Sequence, residues 1–239
     1  MAGFELSKWY LDCVSDDGEA TIAYTGTARW GPLRLHYSSL LESTGARVSV
    51  RHSMRKSAEP ELGEGRLRWR SGEWEADSSE VRETVYDGIE WRCLMPRARV
   101  RIGERTGLGY AEHIRMTVEP WKLPIRILRW GRFVSNTEWI VWIDWAGEFT
   151  RRIVYRNGEA VQARILEDDL IEFSDGSRLT MDRSLVLREG QMGKNIPGIK
   201  GQFPARLLRL NECKWRSRGR LSTGIDAWVI HEKVEWPTS

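Results

Sequence analysis

Cysteine is scarce in this chain of 239 residues: there are three, Cys13, Cys93 and Cys213. Their odd number and wide spacing exclude a disulfide framework and a zinc knuckle, and they read as reduced and mostly buried. Long apolar runs are missing too, since no stretch approaches the roughly 20 apolar residues of a membrane span. The N-terminus, Met1 to Lys8, lacks the basic start and apolar core of a signal peptide. A cytoplasmic protein without an integral membrane segment is the expectation. Charge of one sign is also short: Lys+Arg 37 against Asp+Glu 34 leaves a net charge of +3. The clusters Arg97-Ala98-Arg99-Val100-Arg101 and Lys214 to Arg220 alternate like the exposed face of a strand. Acidic runs such as Glu167-Asp168-Asp169 offset them, so no nucleic-acid partner is expected. Histidine numbers four, and there is no His-Glu-x-x-His, Gly-x-Ser-x-Gly, P-loop or Rossmann glycine pattern. No metal and no cofactor are expected.

What the chain does contain is tryptophan, thirteen in all, with 41% hydrophobic and 30% charged residues overall. That composition is ordinary for a packed globular protein. Short period-two or apolar runs recur throughout, among them Ala20–Tyr24, Arg47–Arg51, Ile89–Leu94, Ala111–Val118, Trp139–Trp145 and Ala227–Val234. Asp16-Asp17-Gly18, Asp87-Gly88, Asn157-Gly158 and Asp175-Gly176 supply hairpin turns between them. The fold class is all-β, a meander or barrel. Phe4–Tyr10 and Pro124–Leu128 are read as at most a turn or two of helix. Pro120–Arg126 and Gly190–Pro204 are read as ordered loops.

One half of the chain echoes the other. Gly107-Leu108-Gly109-Tyr110-Ala111-Glu112-His113 is followed about 120 residues later by Trp228-Val229-Ile230-His231-Glu232. The openings echo as well: Trp9-Tyr10-Leu11-Asp12 runs on to Gly18 and Tyr24, and Trp142-Ile143-Asp144 runs on to Gly147 and Tyr155. Two similar modules are predicted, residues 1–125 and 126–239.

These landmarks, with Trp130-Gly131-Arg132-Phe133 leading into Trp142-Ile143-Asp144-Trp145, resemble the carotenoid hydratase (hydroxyneurosporene synthase) and AttH-like superfamily. The resemblance covers most of the chain in the order of its landmarks. It implies two lipocalin-like antiparallel β-barrel modules, complete or incomplete as barrels. It also implies that Tyr110, Glu112 and His113 fall on the segment that carries the proton-donating acid in the hydratases. Glu112 stands where the family has an aspartate. Cyclising relatives hold polyene substrates, so an isomerase or cyclase role is implied as readily as a lyase role.

The chemistry needs a carboxyl kept protonated by an apolar pocket and aromatic faces to stabilise a carbocation. Glu112 or Asp144 is the candidate acid, with Tyr110 and His113 orienting it. Trp9, Trp130, Trp142, Trp228 and His231 are the candidate ligand-binding residues. Glu112 and His113 are neighbours on a strand and must face opposite ways, so one of them is structural. His113 and His231 have a plainer reading as hydrogen bonds across the junction of the modules. Asp144, buried among tryptophans, needs an ion partner, Arg132 or another arginine, and Asp12 reads as the same device in the first module. His36 and His52 carry no assigned role. The function that follows is a cofactor-independent enzyme acting on a hydrophobic isoprenoid or polyketide polyene by acid-assisted hydration, cyclisation or isomerisation. The rival reading is a non-catalytic carrier of such a molecule.

Overall fold

A computed structural model describes residues 3–195 and 205–237. The chain divides into two compact units, Met1–Lys122 and Leu123–Ser239. Each unit is one curled antiparallel sheet, a half-barrel of ten strands.

The first unit runs β1 (Phe4–Val14), β2 (Ala20–Trp30), β3 (Leu33–Thr44), β4 (Arg47–Ser53), β5 (Glu61–Gly63), β6 (Arg66–Trp69), β7 (Gly72–Ala76), β8 (Val81–Tyr86), β9 (Ile89–Ile102) and β10 (Arg105–Met116). The second runs β11 (Ile125–Val134), β12 (Trp139–Gly147), β13 (Arg151–Arg156), β14 (Glu159–Ala160), β15 (Ala163–Leu166), β16 (Leu170–Phe173), β17 (Arg178–Met181), β18 (Leu185–Gln191), β19 (Asn211–Leu221) and β20 (Asp226–Glu235). The strand orders are β4-β3-β2-β1-β10-β9-β7-β6-β5 and β14-β13-β12-β11-β20-β19-β17-β16-β15, with β8 on β9 and β18 on β19. The second sheet therefore repeats the first with every strand number raised by ten. Register repeats as well, because a shift of 120 positions carries the facing pair Tyr10 and Glu112 onto the facing pair Trp130 and Glu232.

This equivalence corrects part of the sequence reading. The β10 and β20 landmarks are true counterparts. The openings are not, for Trp9–Asp12 lies on β1 whereas Trp142–Asp144 lies on β12, and the counterpart of β1 is β11. Phe4–Tyr10 and Pro124–Leu128 form no helix; the first lies in β1 and the second enters β11. Both are hub strands, hydrogen-bonded on both edges, β1 to β2 and β10, β11 to β12 and β20. Two continuous ladders override local signals that charged residues such as Lys8, Arg126 and Arg129 interrupt. Among the described residues helix is confined to a 3₁₀ turn at Pro120–Lys122 and two single turns, α1 (Met192–Asn195) and α2 (Ala205–Leu208). Of the predicted loop at Gly190–Pro204, the first residues end β18 and form α1, and residues 196–204 lie outside the described part.

Alternation gives each central strand two buried faces. On β1, Trp9, Leu11 and Cys13 point into an apolar core with Leu67, Trp69, Trp74, Met95 and Val100. Tyr10, Asp12 and Val14 are equally buried on the other side. In the second unit Phe133, Trp142, Val154, Phe173, Leu179 and Val229 form the matching inner core. The Gly-Leu-Gly landmark has a packing explanation: a Cβ on Gly109 would stand 2.1 Å from the Asp12 carbonyl oxygen, and one on Gly107 would stand 2.3 Å from that of Val14. Only glycine lets β10 lie this close to β1.

Candidate active site in the first unit

β10 carries its two titratable landmark residues on opposite faces of the sheet. His113 stands directly across from Trp9 of β1, and Trp9 in turn faces Thr25 of β2, which faces Ser38 of β3. These four side chains therefore share one level of the inner face. The Trp9 and His113 rings meet at 4.4 Å between centroids with a 32° tilt. Ser7, two residues before Trp9 on the same face, holds His113 Nε2 through its hydroxyl at 2.8 Å. His113 is half-buried. Burial, then the Arg92 and Arg115 guanidiniums, pull its pKa down to about 4, so the ring is neutral at neutral pH. Trp9 is 8% exposed, and its indole nitrogen is buried without a hydrogen-bond partner. The neighbouring indoles are satisfied: Trp74 donates to the Asp12 carbonyl at 2.8 Å and Trp69 to the Ala58 carbonyl at 2.9 Å.

Glu112 points to the other face. Its Oε2 accepts from the Trp91 indole at 2.6 Å and from the Tyr110 hydroxyl at 2.7 Å. On β1 the Tyr10 hydroxyl donates to Asp12 Oδ2 at 2.9 Å. Register sets Asp12 across from Tyr110 and Tyr10 across from Glu112, so two Tyr-x-acid pairs run antiparallel to each other. Tyr10 packs edge-on against Tyr24 and Tyr110. Burial pushes the Tyr110 phenol and the adjacent Cys93 thiol upward, keeping both protonated. The sequence reading missed Trp91 and the mutual pairing of Tyr-x-Asp with Tyr-x-Glu. The period-two spacing was a signal for the latter, but only the register makes the two pairs face each other.

The second unit places the remaining candidates. Asp144 is 3% exposed. It accepts from Arg152 Nε at 2.9 Å and lies 3.5 Å from Arg129 Nη1. The expected arginine partner is therefore present, as Arg152 and Arg129 and not as Arg132, which is three residues from Arg129 on the same strand and so on the opposite face; its Nη1 donates to the Trp228 carbonyl at 3.1 Å. Arg129 also binds Asp168 at 2.8 Å, and Lys233 approaches Asp168 at 3.6 Å. His231 is 3% exposed, stacks on Trp215 at 5.1 Å and bonds the Ser217 hydroxyl through Nε2 at 2.7 Å. Burial, then the Lys214 charge, lowers its pKa to about 3. Each of these histidine–serine bonds thus lies inside its own unit, in place of the expected bond across the junction. Trp142 sits in the inner core. A Cβ on Gly131 would stand 2.2 Å from its ring, so that glycine makes room for it. Trp130 and Trp228 are on the other face, Trp130 under the buried Lys214 ammonium, which pairs with Glu232, and Trp228 beside Arg216 and Arg218 at 4.8 and 4.3 Å.

An open groove of about 640 Å³ lies on the outer face of the first unit, lined mainly by Arg66, Arg68, Glu73, Glu75, Arg99 and Arg101. It contains none of the candidate residues. Among the described residues no three His, Cys, Asp or Glu side chains gather as a metal site, and no helix is long and apolar enough to cross a membrane.

No family model matches the chain, and no curated protein does. In three dimensions it is similar to CghA bound to Sch210972, with a TM-score of 0.65 at 9% identity, covering 98% of this chain and 89% of CghA. It is also similar to an AttH-like protein from Nitrosomonas europaea, with a TM-score of 0.58 at 7% identity, covering 99% of this chain and 93% of the other. At such identities what is shared is architecture. The chain has an all-β, two-module lipocalin-like fold, the architecture it shares with CghA and the Nitrosomonas europaea protein.

Proposed function

We propose that the protein is an enzyme of the hydration, cyclisation or isomerisation class, acting on a hydrophobic small molecule held in the interior of the first unit, with His113 as its proton-transfer residue. The observation that carries this reading is the face assignment on β10: His113, not Glu112, shares the indole-lined inner face, and it is the less buried of the two. With Nε2 engaged by Ser7, Nδ1 is the nitrogen that meets a substrate.

A neutral imidazole lifts a proton from carbon or water without a cofactor. With a pKa of about 4, the imidazolium so formed is about as strong an acid as an ordinary carboxylic acid. It returns the proton to another carbon of the same molecule readily, which completes an isomerisation or cyclisation. The indole of Trp9, at 4.4 Å from the His113 ring, offers a π face to the imidazolium that forms. Glu112 acts on this chemistry indirectly, as a positioning residue: its bonds to Trp91 of β9 and Tyr110 of β10 fix the strand from behind. Asp144, between Arg152 and Arg129, is a structural anion.

The test is conversion of a panel of isoprenoid and polyketide polyenes, followed by mass spectrometry, with binding measured separately. His113→Gln is expected to bind but not convert, and Glu112→Gln to convert with a lowered melting temperature. Unchanged recovery of a bound polyene from wild type would make the protein a carrier. Loss of turnover in a stably folded Glu112→Gln would move the acid to the other face.

A further inference from the structure

The buried indole N–H of Trp9 requires an acceptor. A donor removed from water and left unmade costs about 1–3 kcal/mol, and native proteins rarely keep one without a purpose. Trp69 and Trp74, in the same core, both have carbonyl partners, so the environment does not simply lack acceptors. The side chains that face Trp9 on its level of the sheet are Thr25, then Ser38, and a neutral His113; the guanidiniums of the level stand one strand further out, Arg92 beyond His113 and held by Glu80 at 2.8 Å, and Arg70 at 3.4 Å from the Ser38 hydroxyl. At the register-equivalent positions of the second unit stand Asp144, Arg152 and Lys233, around Arg129 in place of Trp9. There the row satisfies itself with ion pairs at 2.9 and 3.5 Å. On this level of the two sheets, among the described residues, the donor that stands without a partner is the Trp9 indole.

We infer that Trp9 Nε1 is the polar anchor of the substrate compartment, and that the substrate is an uncharged apolar molecule bearing a carbonyl or hydroxyl oxygen that accepts from this indole. This deepens the proposed function and rests on its reading of the first unit's interior as the compartment. An anionic head group is disfavoured at Trp9, because the donors that face it are neutral and Arg92, on the far side of His113, is already held by Glu80 at 2.8 and 3.0 Å. A pure hydrocarbon would leave the Trp9 N–H unpaired. The oxygen thus sets orientation: bound at Trp9, it brings the neighbouring carbons beside His113, whose ring lies 4.4 Å from the indole.

Three probes of one skeleton separate the possibilities: acetonaphthone, ethylnaphthalene and naphthoate, titrated into full-length nitrogen-labelled protein. The readouts are affinity and the indole N–H resonance of Trp9, assigned from its absence in Trp9→Phe. The ketone is expected to bind about tenfold tighter than the hydrocarbon and to move the Trp9 resonance downfield. Trp9→Phe keeps the ring but not the donor, and is expected to bring the ketone to the affinity of the hydrocarbon, which itself stays within about twofold. Equal binding of ketone and hydrocarbon that perturbs His113 but leaves the Trp9 resonance in place overturns the anchor and leaves the compartment standing. Tightest binding by naphthoate overturns the uncharged class. Probes that perturb neither Trp9 nor His113 overturn anchor and compartment together. Should Trp9→Phe fold poorly, the Trp9 resonance is assigned in the wild type through its proton contacts to the His113 ring, 4.4 Å away, and decides alone.

Discussion

At one level of the two inner faces, four strands present Ser38, Thr25, Trp9 and His113 in the first unit and Arg152, Asp144, Arg129 and Lys233 in the second. The strand order and register are the same. The neutral row leaves an indole donor unpaired and a histidine half open; the charged row closes on itself through Asp144 and Asp168. A half-barrel with an apolar floor needs something polar at this level, and ion pairs and hydroxyls are two solutions with different consequences. Charged groups locked to one another have nothing left for a ligand, and opening them costs the desolvation already spent. Neutral donors can exchange partners. One architecture thus carries two different rows, and it is the neutral one on which the proposed function rests.

Acid is the strongest way to break the comparison. Both units carry a Trp–His stack with a serine on Nε2, but His231 is sealed and His113 is not. Their folded pKa values, about 3 and about 4, lie below the unfolded value of 6.5. Below pH 6.5 the unfolded chain therefore binds protons that the folded chain refuses. The stability each histidine contributes is complete above pH 6.5 and is lost as the pH falls toward its folded value. For His231 the loss is on the order of 4 kcal/mol; for His113 solvent screening makes it smaller. Urea midpoints at pH 7 and pH 4 should converge strongly in His231→Gln and weakly in His113→Gln. Equal effects would mean that the two stacks are equally buried and that the first unit is no more open than the second.

Asp144→Asn tests the closed row directly. It leaves Arg129 with Asp168 but takes the anion from between two guanidiniums, and should cost roughly 2–3 kcal/mol, below the full penalty for a broken buried pair because Arg152 is partly exposed. Denaturant unfolding measures it. Binding of an apolar probe in the first unit should be unchanged; a loss there would show Asp144 acting as more than a structural anion.

How much of this was legible in the sequence follows from the range of the interactions. Alternating apolar residues and Asx-Gly turns are local, so the all-β class was readable, as was the divergence of Glu112 and His113, which needs only period two. The β10 and β20 landmarks could be matched because each is a continuous segment. The hub strands could not: Lys8 and Arg126 break the alternation of β1 and β11, and what makes these segments extended is pairing with β10 and β20, about a hundred residues away along the chain. Asp144 visibly needed a cation, but which one depended on register: Arg152 faces it across β13 and Arg129 across β11, while Arg132 falls on the wrong face. The unpaired Trp9 nitrogen has no sequence signal at all, since thirteen indoles look alike until their neighbours are known.

The finest version of the comparison lies in the two serines. Ser217 is fully buried, and its hydroxyl serves both His231 at 2.7 Å and the Arg183 amide at 3.0 Å. Ser217→Ala therefore strands two polar groups in a place water cannot reach, and should cost about 2 kcal/mol. Ser7 is only half-buried and serves His113 at 2.8 Å. In Ser7→Ala a water molecule can take the place of the hydroxyl, so the loss should be about 0.5 kcal/mol, while the freed imidazole turns more easily and conversion falls without loss of binding. Unfolding curves for the pair, read beside turnover for Ser7→Ala, separate the two roles: a large stability loss at Ser7 with unchanged chemistry would make the first stack as structural as the second.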